Sequence, residues 1–250
     1  MADSRVEVRF LGSGDVFGSG GRYQACILVE TSNARVLLDC GATSLTAMKR
    51  FGEDPGSIDV VIFSHYHADH YGGIPFLILD GQFSRRTLPL AIAGPGDVER
   101  RIATAMETAF PGSSTVRQRF PISFHQLQET ETRLGAASVR AVRAAHTPGS
   151  DAVGLRLAVD GTVIAYSGDT EWTDVLPALA AGADLLICEA YTWAKSVRYH
   201  LDHQTFAAHR AEFTARRVVL THCGPEMLAH LAEAMDETAY DGLRLTLPSR

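Results

Sequence analysis

The chain has 250 residues, of which 46% are hydrophobic and 21% charged, and its formal net charge is −6. These values exclude a disordered, collagen-like or coiled-coil chain, and they argue against a broadly basic surface for nucleic acid. No apolar run reaches the roughly 18 residues of a membrane-spanning helix, and charges stand where a signal peptide would be apolar. Four cysteines without CxxC spacing predict reduced, buried thiols and a cytoplasmic location.

The predicted elements are β-rich at first and alternate between strands and helices later. Alternating or fully apolar runs bounded by turn residues predict the strands, and longer amphipathic runs predict the helices. The strands are predicted at 5–11, 25–30, 35–39, 60–63, 90–93, 122–127, 138–144, 153–159, 162–167, 184–188 and 217–220. The helices are predicted at 44–51, 72–79, 97–108, 175–181, 205–214 and 225–233. Asp160-Gly161 predicts a hairpin turn between two of the strands.

This order contains no internal repeat and no linker, so we expect one domain over residues 1–250. β-rich stretches with helices between them favour two sheets packed face to face, with helices on both outer surfaces. The predicted fold class is therefore α/β (α+β), with the layers of a four-layer αββα sandwich.

A cluster of histidines follows the apolar strand predicted at 60–63. His65 and His67 are two residues apart, so on an extended chain their imidazoles point to the same side and can reach one metal ion. Asp69 and His70 come next and can serve a second ion beside the first. This set suits zinc, iron or manganese better than calcium or magnesium, which prefer oxygen ligands. The alternative is a solvated polar loop, which rarely collects three histidines.

Three more candidate ligands follow predicted strands. His146 precedes a turn at Thr147-Pro-Gly149, Asp169 comes after the strand at 162–167, and His222 comes after the strand at 217–220. Taken singly, an aspartate or histidine at the end of a strand is more often a turn or cap residue than a ligand. Together with the first motif they complete a set of seven candidate metal ligands.

With these ligands the chain resembles the metallo-β-lactamase superfamily. The seven residues match its metal ligands in order and spacing, over nearly the whole chain. The resemblance implies that superfamily's αββα fold, with two divalent metal ions at one edge between the sheets. It assigns His65, His67 and His146 to the first ion, Asp69, His70 and His222 to the second, and Asp169 to a bridge between them. An aspartate at the bridge disfavours β-lactam hydrolysis, and a histidine at 67 disfavours redox chemistry.

Further segments resemble the ribonuclease Z and phosphodiesterase branch of this superfamily, among them 10–14 and 88–97. In that branch a histidine at the place of His200 is not a ligand but donates a hydrogen bond or a proton at the phosphate. Glu189 matches an acidic residue that orients this histidine, since a carboxylate on one ring nitrogen fixes the tautomer at the other. Glu189 could instead form a salt bridge. His203 competes with His200, but we expect it to be a capping or surface residue.

The resemblance implies a dinuclear metal-dependent hydrolase with His200, Glu189 and Asp69 as catalytic residues and with zinc, or else manganese or iron, as the ions. The segment 94–122 has no room for the long arm of a tRNA-processing enzyme, and no dense cluster of lysine and arginine is present. RNA binding needs several phosphate contacts. We therefore expect a small phosphodiester or a cyclic nucleotide as the substrate, rather than a structured RNA.

Two other functions stay open at this stage. A lactone or thioester hydrolase would use the same site on a carbonyl carbon, and hydrolysis of a phosphodiester compared with lactones separates the two. A non-catalytic accessory protein would keep the fold, and metal analysis tests that alternative. We expect no membrane partner, and the sequence leaves a homodimer open.

Overall fold

The computed structural model describes residues 5–248 and contains two seven-stranded sheets. The strands are β1 Val6–Gly12, β2 Cys26–Glu30, β3 Arg35–Leu38, β4 Val60–Ile62, β5 Leu90–Gly94, β6 Ile122–Gln126, β7 Thr132–Leu134, β8 Ala137–Arg143, β9 Val153–Val159, β10 Thr162–Tyr166, β11 Leu185–Glu189, β12 Val218–Thr221, β13 Glu237–Thr238 and β14 Arg244–Leu247. The α-helices are α1 Ser44–Arg50, α2 Ala68–Tyr71, α3 Ile74–Phe83, α4 Val98–Ala109, α5 Leu176–Ala180, α6 His203–Ala208 and α7 Pro225–Ala229. Within residues 5–248, no helix is long and apolar enough to cross a bilayer.

The apolar residues of each sheet alternate between two cores. Val8 of β1 and Ile187 of β11 belong to one buried cluster that fills the space between the sheets. On the outer faces, Leu28 of β2 packs with α1, α3 and α4, and Leu186 of β11 packs with α5, α6 and α7. The layers therefore run helix, sheet, sheet, helix, and the predicted αββα sandwich is confirmed.

The order of the strands places the carboxyl ends of several parallel strands at one edge. The first sheet runs β14-β1-β2-β3-β4-β5-β6, and the strands from β3 to β6 are parallel to one another. The second runs β13-β12-β11-β10-β9-β8-β7, with β10 to β12 parallel. The two sheets are joined at this edge, where Gly14 pairs with Cys223 and the His222 N–H donates to the Ser13 carbonyl at 3.1 Å. Loops that follow parallel strands in both sheets therefore meet there.

The helix predicted at 72–79 is present as α3, shifted toward the carboxyl end, and a short unpredicted helix, α2, precedes it with a break at Gly72 and Gly73. The break brings the chain against the end of β3: the Gly73 N–H donates to the Cys40 carbonyl at 2.8 Å. A Cβ atom on Gly73 would lie 2.2 Å from the Gly41 carbonyl oxygen, so only glycine fits. The helices predicted at 205–214 and 225–233 are too long, since α6 and α7 give way to short 3₁₀ turns.

Candidate metal centre

Seven side chains that were predicted as metal ligands meet at this edge. They follow β4 (His65, His67, Asp69, His70), β8 (His146), β10 (Asp169) and β12 (His222). Their ligand atoms fall into two groups, and within each group all atoms lie within 4.8 Å of one another. The structure therefore brings together residues that are up to 157 positions apart in the sequence, from His65 to His222.

The first group consists of His65, His67 and His146. His146 Nε2 lies 3.1 Å from His67 Nδ1, and the ring centroid of His65 lies 4.7 Å and 4.8 Å from those of the other two. Burial, followed by repulsion from His70, lowers the pKa of His65 well below its usual range, and burial also lowers the pKa of His67 and His146. These imidazoles are therefore neutral near pH 7, which is the form that binds a metal ion.

The second group consists of Asp69, His70, Asp169 and His222. His222 Nε2 lies 3.2 Å from Asp69 Oδ2, and His70 Nε2 lies 3.2 Å from Asp169 Oδ1. Burial alone would raise the pKa of both carboxyls, but the adjacent imidazoles hold the pKa of Asp69 and Asp169 well below its usual range. The carboxylates in turn raise the pKa of His70 and His222 against the effect of burial. Both carboxylates are therefore ionised at neutral pH.

Asp169 lies between the two groups. Its Oδ2 atom is 3.6 Å from His222 Nε2 in the second group and 3.9 Å from His65 Nε2 in the first. The residue is 2% exposed, so water does not take the place of these neighbours. A carboxylate in this position can serve two ions at once, as the bridging role predicted for Asp169 requires.

Buried atoms without hydrogen bonds point to the centre of the cluster. Within the described residues, His65 Nε2, His70 Nε2 and Asp169 Oδ1 are buried and make no hydrogen bond. Buried polar atoms in proteins are nearly always hydrogen-bonded or bound to an ion. Imidazoles and carboxylates are the donors of zinc, manganese and iron sites. The residues present therefore fit two divalent metal ions.

Hydrogen bonds behind the rings fix which nitrogen faces the centre. The Nδ1–H of His146 donates to the Tyr199 carbonyl at 2.8 Å, and the Nδ1–H of His70 donates to Asp39 Oδ2 at 2.7 Å. In both rings Nε2 is then the atom available to an ion, and outer partners of this kind orient metal-binding histidines in general.

Asp39 is a buried residue of this edge that the sequence analysis did not single out. It lies directly after β3 with a φ of 60°, and its Oδ1 accepts from the Ser64 N–H at 2.7 Å. Its Oδ2 accepts from His70 Nδ1 at 2.7 Å, from Ser64 Oγ at 2.8 Å and from the Tyr166 hydroxyl at 2.8 Å. An aspartate directly after an apolar strand is the signal that identified Asp169, and it could have identified Asp39 as well.

Replacing Asp39 with asparagine should weaken metal binding without removing a ligand. Both carboxylate oxygens of Asp39 accept hydrogen bonds, one from the Ser64 N–H and the other from His70 Nδ1. In either orientation of the asparagine side chain, its NH₂ group would therefore face one of these donors. Loss of an orienting carboxylate costs roughly 10- to 100-fold in metal affinity, and we expect the Kd for zinc to rise by about that factor in a chelator competition assay. Tyr166→Phe, which removes one donor but keeps the carboxylate, is the control and should have a smaller effect. Unchanged zinc affinity in Asp39→Asn would contradict this role.

His200 and Glu189 form a pair next to the two ligand groups. The Nδ1–H of His200 donates to Glu189 Oε2 at 3.0 Å, and the ring of Tyr191 packs on the imidazole with centroids 4.7 Å apart. Glu189 is 1% exposed, and its other oxygen accepts from the Thr170 N–H. Burial, and then the Asp169 carboxylate, raise the pKa of Glu189, whereas the Thr170 N–H opposes that rise. The ring of His200 is thus held in one orientation.

His203 is not a capping or surface residue, and that expectation is wrong. Asp202 caps α6 by accepting from the Thr205 N–H at 2.8 Å, and His203 is 2% exposed. Its ring stacks on Trp193 with centroids 4.2 Å apart, and its Nε2 accepts from the Met235 N–H at 3.4 Å. The chain turns between the two histidines, so His200 lies beside the ligand groups while His203 packs in the outer layer.

Two pockets flank the candidate metal centre. The larger, of about 410 Å³, is lined by His67 and His200 and has Phe17 and Arg198 among its other lining residues. The second, of about 340 Å³, reaches His146 from another side. The pockets approach each other where His67 and His146 are 3.1 Å apart. A molecule held at the centre can therefore extend in two directions.

The chain is similar in sequence to a family model and to several known proteins. The family model described as the β-lactamase superfamily domain matches residues 34–223. An uncharacterized protein of Mycobacterium tuberculosis is 30% identical over 228 residues, which cover 88% of this chain and 81% of the relative. A ribonuclease Z of Lachnoclostridium phytofermentans is 31% identical over 106 residues, which cover 42% of this chain and 34% of that protein.

A solved structure has the same fold over nearly the whole length. The crystal structure of a diphosphatase from the PhnP family superposes with a TM-score of 0.79 at 20% identity, covering 98% of this chain and 100% of that one. The seven candidate metal ligands of this chain all lie within residues 34–223, the range matched by the family model.

Proposed function

The chain belongs to the metallo-β-lactamase superfamily, and from that membership we propose that it is a dinuclear metal-dependent phosphodiesterase acting on a small phosphodiester or a cyclic nucleotide. The two ligand groups would hold the ions, with Asp169 shared between them, and zinc is the ion we favour. Such ions, when bound, lower the pKa of water and neutralise charge on phosphate oxygens. The other tasks of the reaction fall to side chains of this chain.

The observation that carries the proposal is the His200–Glu189 pair beside the candidate metal centre. Because the Nδ1–H of His200 is held by Glu189 at 3.0 Å, Nε2 is the nitrogen free to act on a substrate. The oxygen that leaves phosphorus in a diester needs a proton as the P–O bond breaks. In the proposed step a protonated His200 gives that proton from Nε2 and becomes neutral, while the contact of Nδ1 with Glu189 keeps the ring oriented. Acid catalysis of this kind contributes about 10²- to 10⁴-fold to a rate.

Asp69 is proposed to orient the water molecule that attacks phosphorus. Its carboxylate lines the larger pocket and is held by His222 at 3.2 Å. The adjacent imidazoles hold its pKa below the usual range against the effect of burial, so it is ionised at neutral pH. An ionised carboxylate can accept a hydrogen bond from the attacking water and turn that water toward phosphorus.

The surroundings of the centre favour a small substrate. A phosphodiester has an arm on each side of phosphorus, and the pockets of about 410 Å³ and 340 Å³ lie on two sides of the centre. Among the described residues, Arg198 is the one lysine or arginine that lines the larger pocket. A folded RNA would need several phosphate contacts. These features support a small phosphodiester over a structured RNA.

The cysteines support the cytoplasmic location that belongs to this proposal. Cys26, Cys40, Cys188 and Cys223 are all buried free thiols. Burial raises the pKa of Cys26 to about 12, so this thiol stays protonated and unreactive. Free thiols are typical of proteins in reducing compartments.

The test is the class of substrate that the purified protein hydrolyses. We expect turnover of bis(p-nitrophenyl) phosphate and of nucleoside cyclic phosphates, with a far lower kcat/KM for acyl-homoserine lactones and thioesters. A chelator should abolish this turnover, and added zinc should restore it. Preferential hydrolysis of lactones or thioesters would assign the same site to acyl chemistry. Bound ions without any turnover would indicate an accessory protein, and either result would contradict the proposal.

A further inference from the structure

Phe17 is an exposed aromatic side chain at the larger pocket of the candidate metal centre. Its residue is 79% exposed, yet it lines the same pocket as Asp69, His200 and His222. Val16 beside it is also exposed, at 41%, and lines the same pocket, and grouped exposed apolar side chains mark binding sites where single ones do not. Because most of the residue is in contact with solvent, its ring is accessible to a ligand.

The loop that carries Phe17 is fastened at its base. Asp241 accepts from the Ser13 N–H at 2.9 Å through Oδ1 and from the Tyr23 N–H at 2.7 Å through Oδ2. The side chain of Gln24 donates to the Val16 carbonyl at 2.9 Å, directly before Phe17. These contacts hold both ends of the loop, so the position of the aromatic ring follows from the fold.

A second set of contacts fixes the tip of the loop. Asp15 is fully buried, and its carboxylate accepts from the N–H and the hydroxyl of Ser19, each at 2.8 Å. Gly18 adopts a φ of 64° and donates to the Asp15 carbonyl at 3.1 Å, which turns the chain sharply after Phe17. A ring presented on a fixed turn loses little entropy on binding a ligand.

We propose that Phe17 is the stacking platform for a nucleobase, so that the substrate of this site is a phosphodiester that carries a nucleoside. This inference rests on the proposed phosphodiesterase function and names its substrate class. The phosphate lies at the candidate metal centre, and the base lies against Phe17 in the same pocket.

Two features of the pocket support a flat, uncharged group at Phe17. Tyr191 also lines this pocket, but its ring already packs on His200. Phe17 is therefore the better placed of the two rings to stack on a ligand. Arg198 also lines the pocket, with its guanidinium 4.7 Å from the ring centroid of Tyr199, and it is the cation that can meet a phosphate oxygen. The pocket thus offers one place for a ring and one for negative charge, which is the pattern of a nucleotide.

The test compares nucleotides with matched substrates that lack a base. Adenosine 2′,3′- and 3′,5′-cyclic phosphates are paired with the corresponding cyclic phosphates of 1-O-methylribose, which present the same phosphodiester. For Phe17→Ala we expect KM for the nucleotides to rise by about 5- to 150-fold, the range for loss of one base–aromatic stack, with kcat nearly unchanged. The KM for the base-free substrates should stay at the parent value, and so should the metal content.

Two further variants separate stacking from simple apolar contact. Phe17→Leu keeps the apolar bulk but loses the flat ring, so it should resemble Phe17→Ala on nucleotides, whereas Phe17→Trp should keep or improve on the parent KM. Equal effects of Phe17→Ala on nucleotide and base-free substrates, no effect on either, or full function of Phe17→Leu would each overturn the stacking role. If the parent hydrolyses no phosphodiester at all, the proposed function itself fails.

Discussion

Replacing Asp169 with alanine is expected to cause the largest loss of bound metal and of phosphodiester turnover. Its oxygens lie 3.2 Å from His70 Nε2, 3.6 Å from His222 Nε2 and 3.9 Å from His65 Nε2, so it reaches both ligand groups. Without it, the two proposed ions would lose the carboxylate that offsets their charges. The loss in zinc affinity should exceed the roughly 10- to 100-fold that removal of an orienting residue costs. Ions per chain and the Kd for zinc are the measurements.

Asp184→Asn is the matched control for this experiment. Asp184 is another buried aspartate, and it directly precedes β11 at the end of that strand opposite to Glu189. This variant should keep the metal content and turnover of the parent. Asp169→Asn keeps the shape of the side chain, so it separates loss of a ligand from loss of packing, and it should lose most of the bound metal. Two ions bound at parent affinity in Asp169→Ala would contradict the bridge.

Replacing His200 with alanine is expected to lower kcat while leaving metal content and KM close to those of the parent. His200 Nδ1 contacts Glu189 Oε2 at 3.0 Å, and possible ligand atoms of this pair lie within 4.8 Å of those of Asp169 and His222. In the proposed function His200 acts on the departing oxygen and is not a ligand. The fall in kcat should be on the order of 10²- to 10⁴-fold for an alkoxide leaving group. It should be smaller for bis(p-nitrophenyl) phosphate, because p-nitrophenolate departs readily without a proton.

Glu189→Gln and His203→Gln are the comparison variants for His200. Glu189→Gln should lower kcat in the same direction but by less, since Glu189 acts only by orienting the ring. His203 is buried against Trp193 away from the ligand groups, so His203→Gln should change thermal stability more than kcat. If His200→Ala instead loses a metal ion, the residue is a ligand and the assignment of acid catalysis fails. Loss of turnover in His203→Gln alone would show that the wrong histidine was chosen.

Secondary-structure elements with a local sequence pattern could be predicted from the sequence alone. The fully apolar run that became β4 and the hairpin at Asp160-Gly161 need no distant partner to be recognised, and both are present. In the hairpin both turn residues have positive φ, 45° and 76°, as a type I′ turn requires. The αββα layers follow from the alternation of apolar residues between inner and outer cores.

Three strands were missed because distant pairing defines them. β7 has three residues and β13 has two, which is too short for an alternating pattern to be read. β14 forms only by pairing with β1 at the other end of the chain, where Leu247 faces Val6. Their stability comes from the edge of a sheet that must already exist, and no local sequence feature reports that.

Some residues of the candidate site can be recognised from a local motif, and others only from contacts between distant parts of the chain. The motif from His65 to His70 is contiguous, and its spacing already places several ligands together. Asp39 acts through His70 and Tyr166, which are 31 and 127 positions away in the chain, so its role becomes visible only when the sheets are assembled. The stacking of His203 on Trp193 is likewise a property of packing, and it decides which of two nearby histidines faces the centre.

The most direct test of a dinuclear metal-dependent phosphodiesterase is turnover of bis(p-nitrophenyl) phosphate as a function of zinc bound per chain. The protein is stripped with a chelator and titrated with zinc, and bound metal and hydrolysis are measured on the same samples. We expect no turnover in the stripped protein and a rate that rises until two ions are bound per chain. Full turnover without metal, a maximum at one ion, or no hydrolysis at any zinc content would contradict the proposed function.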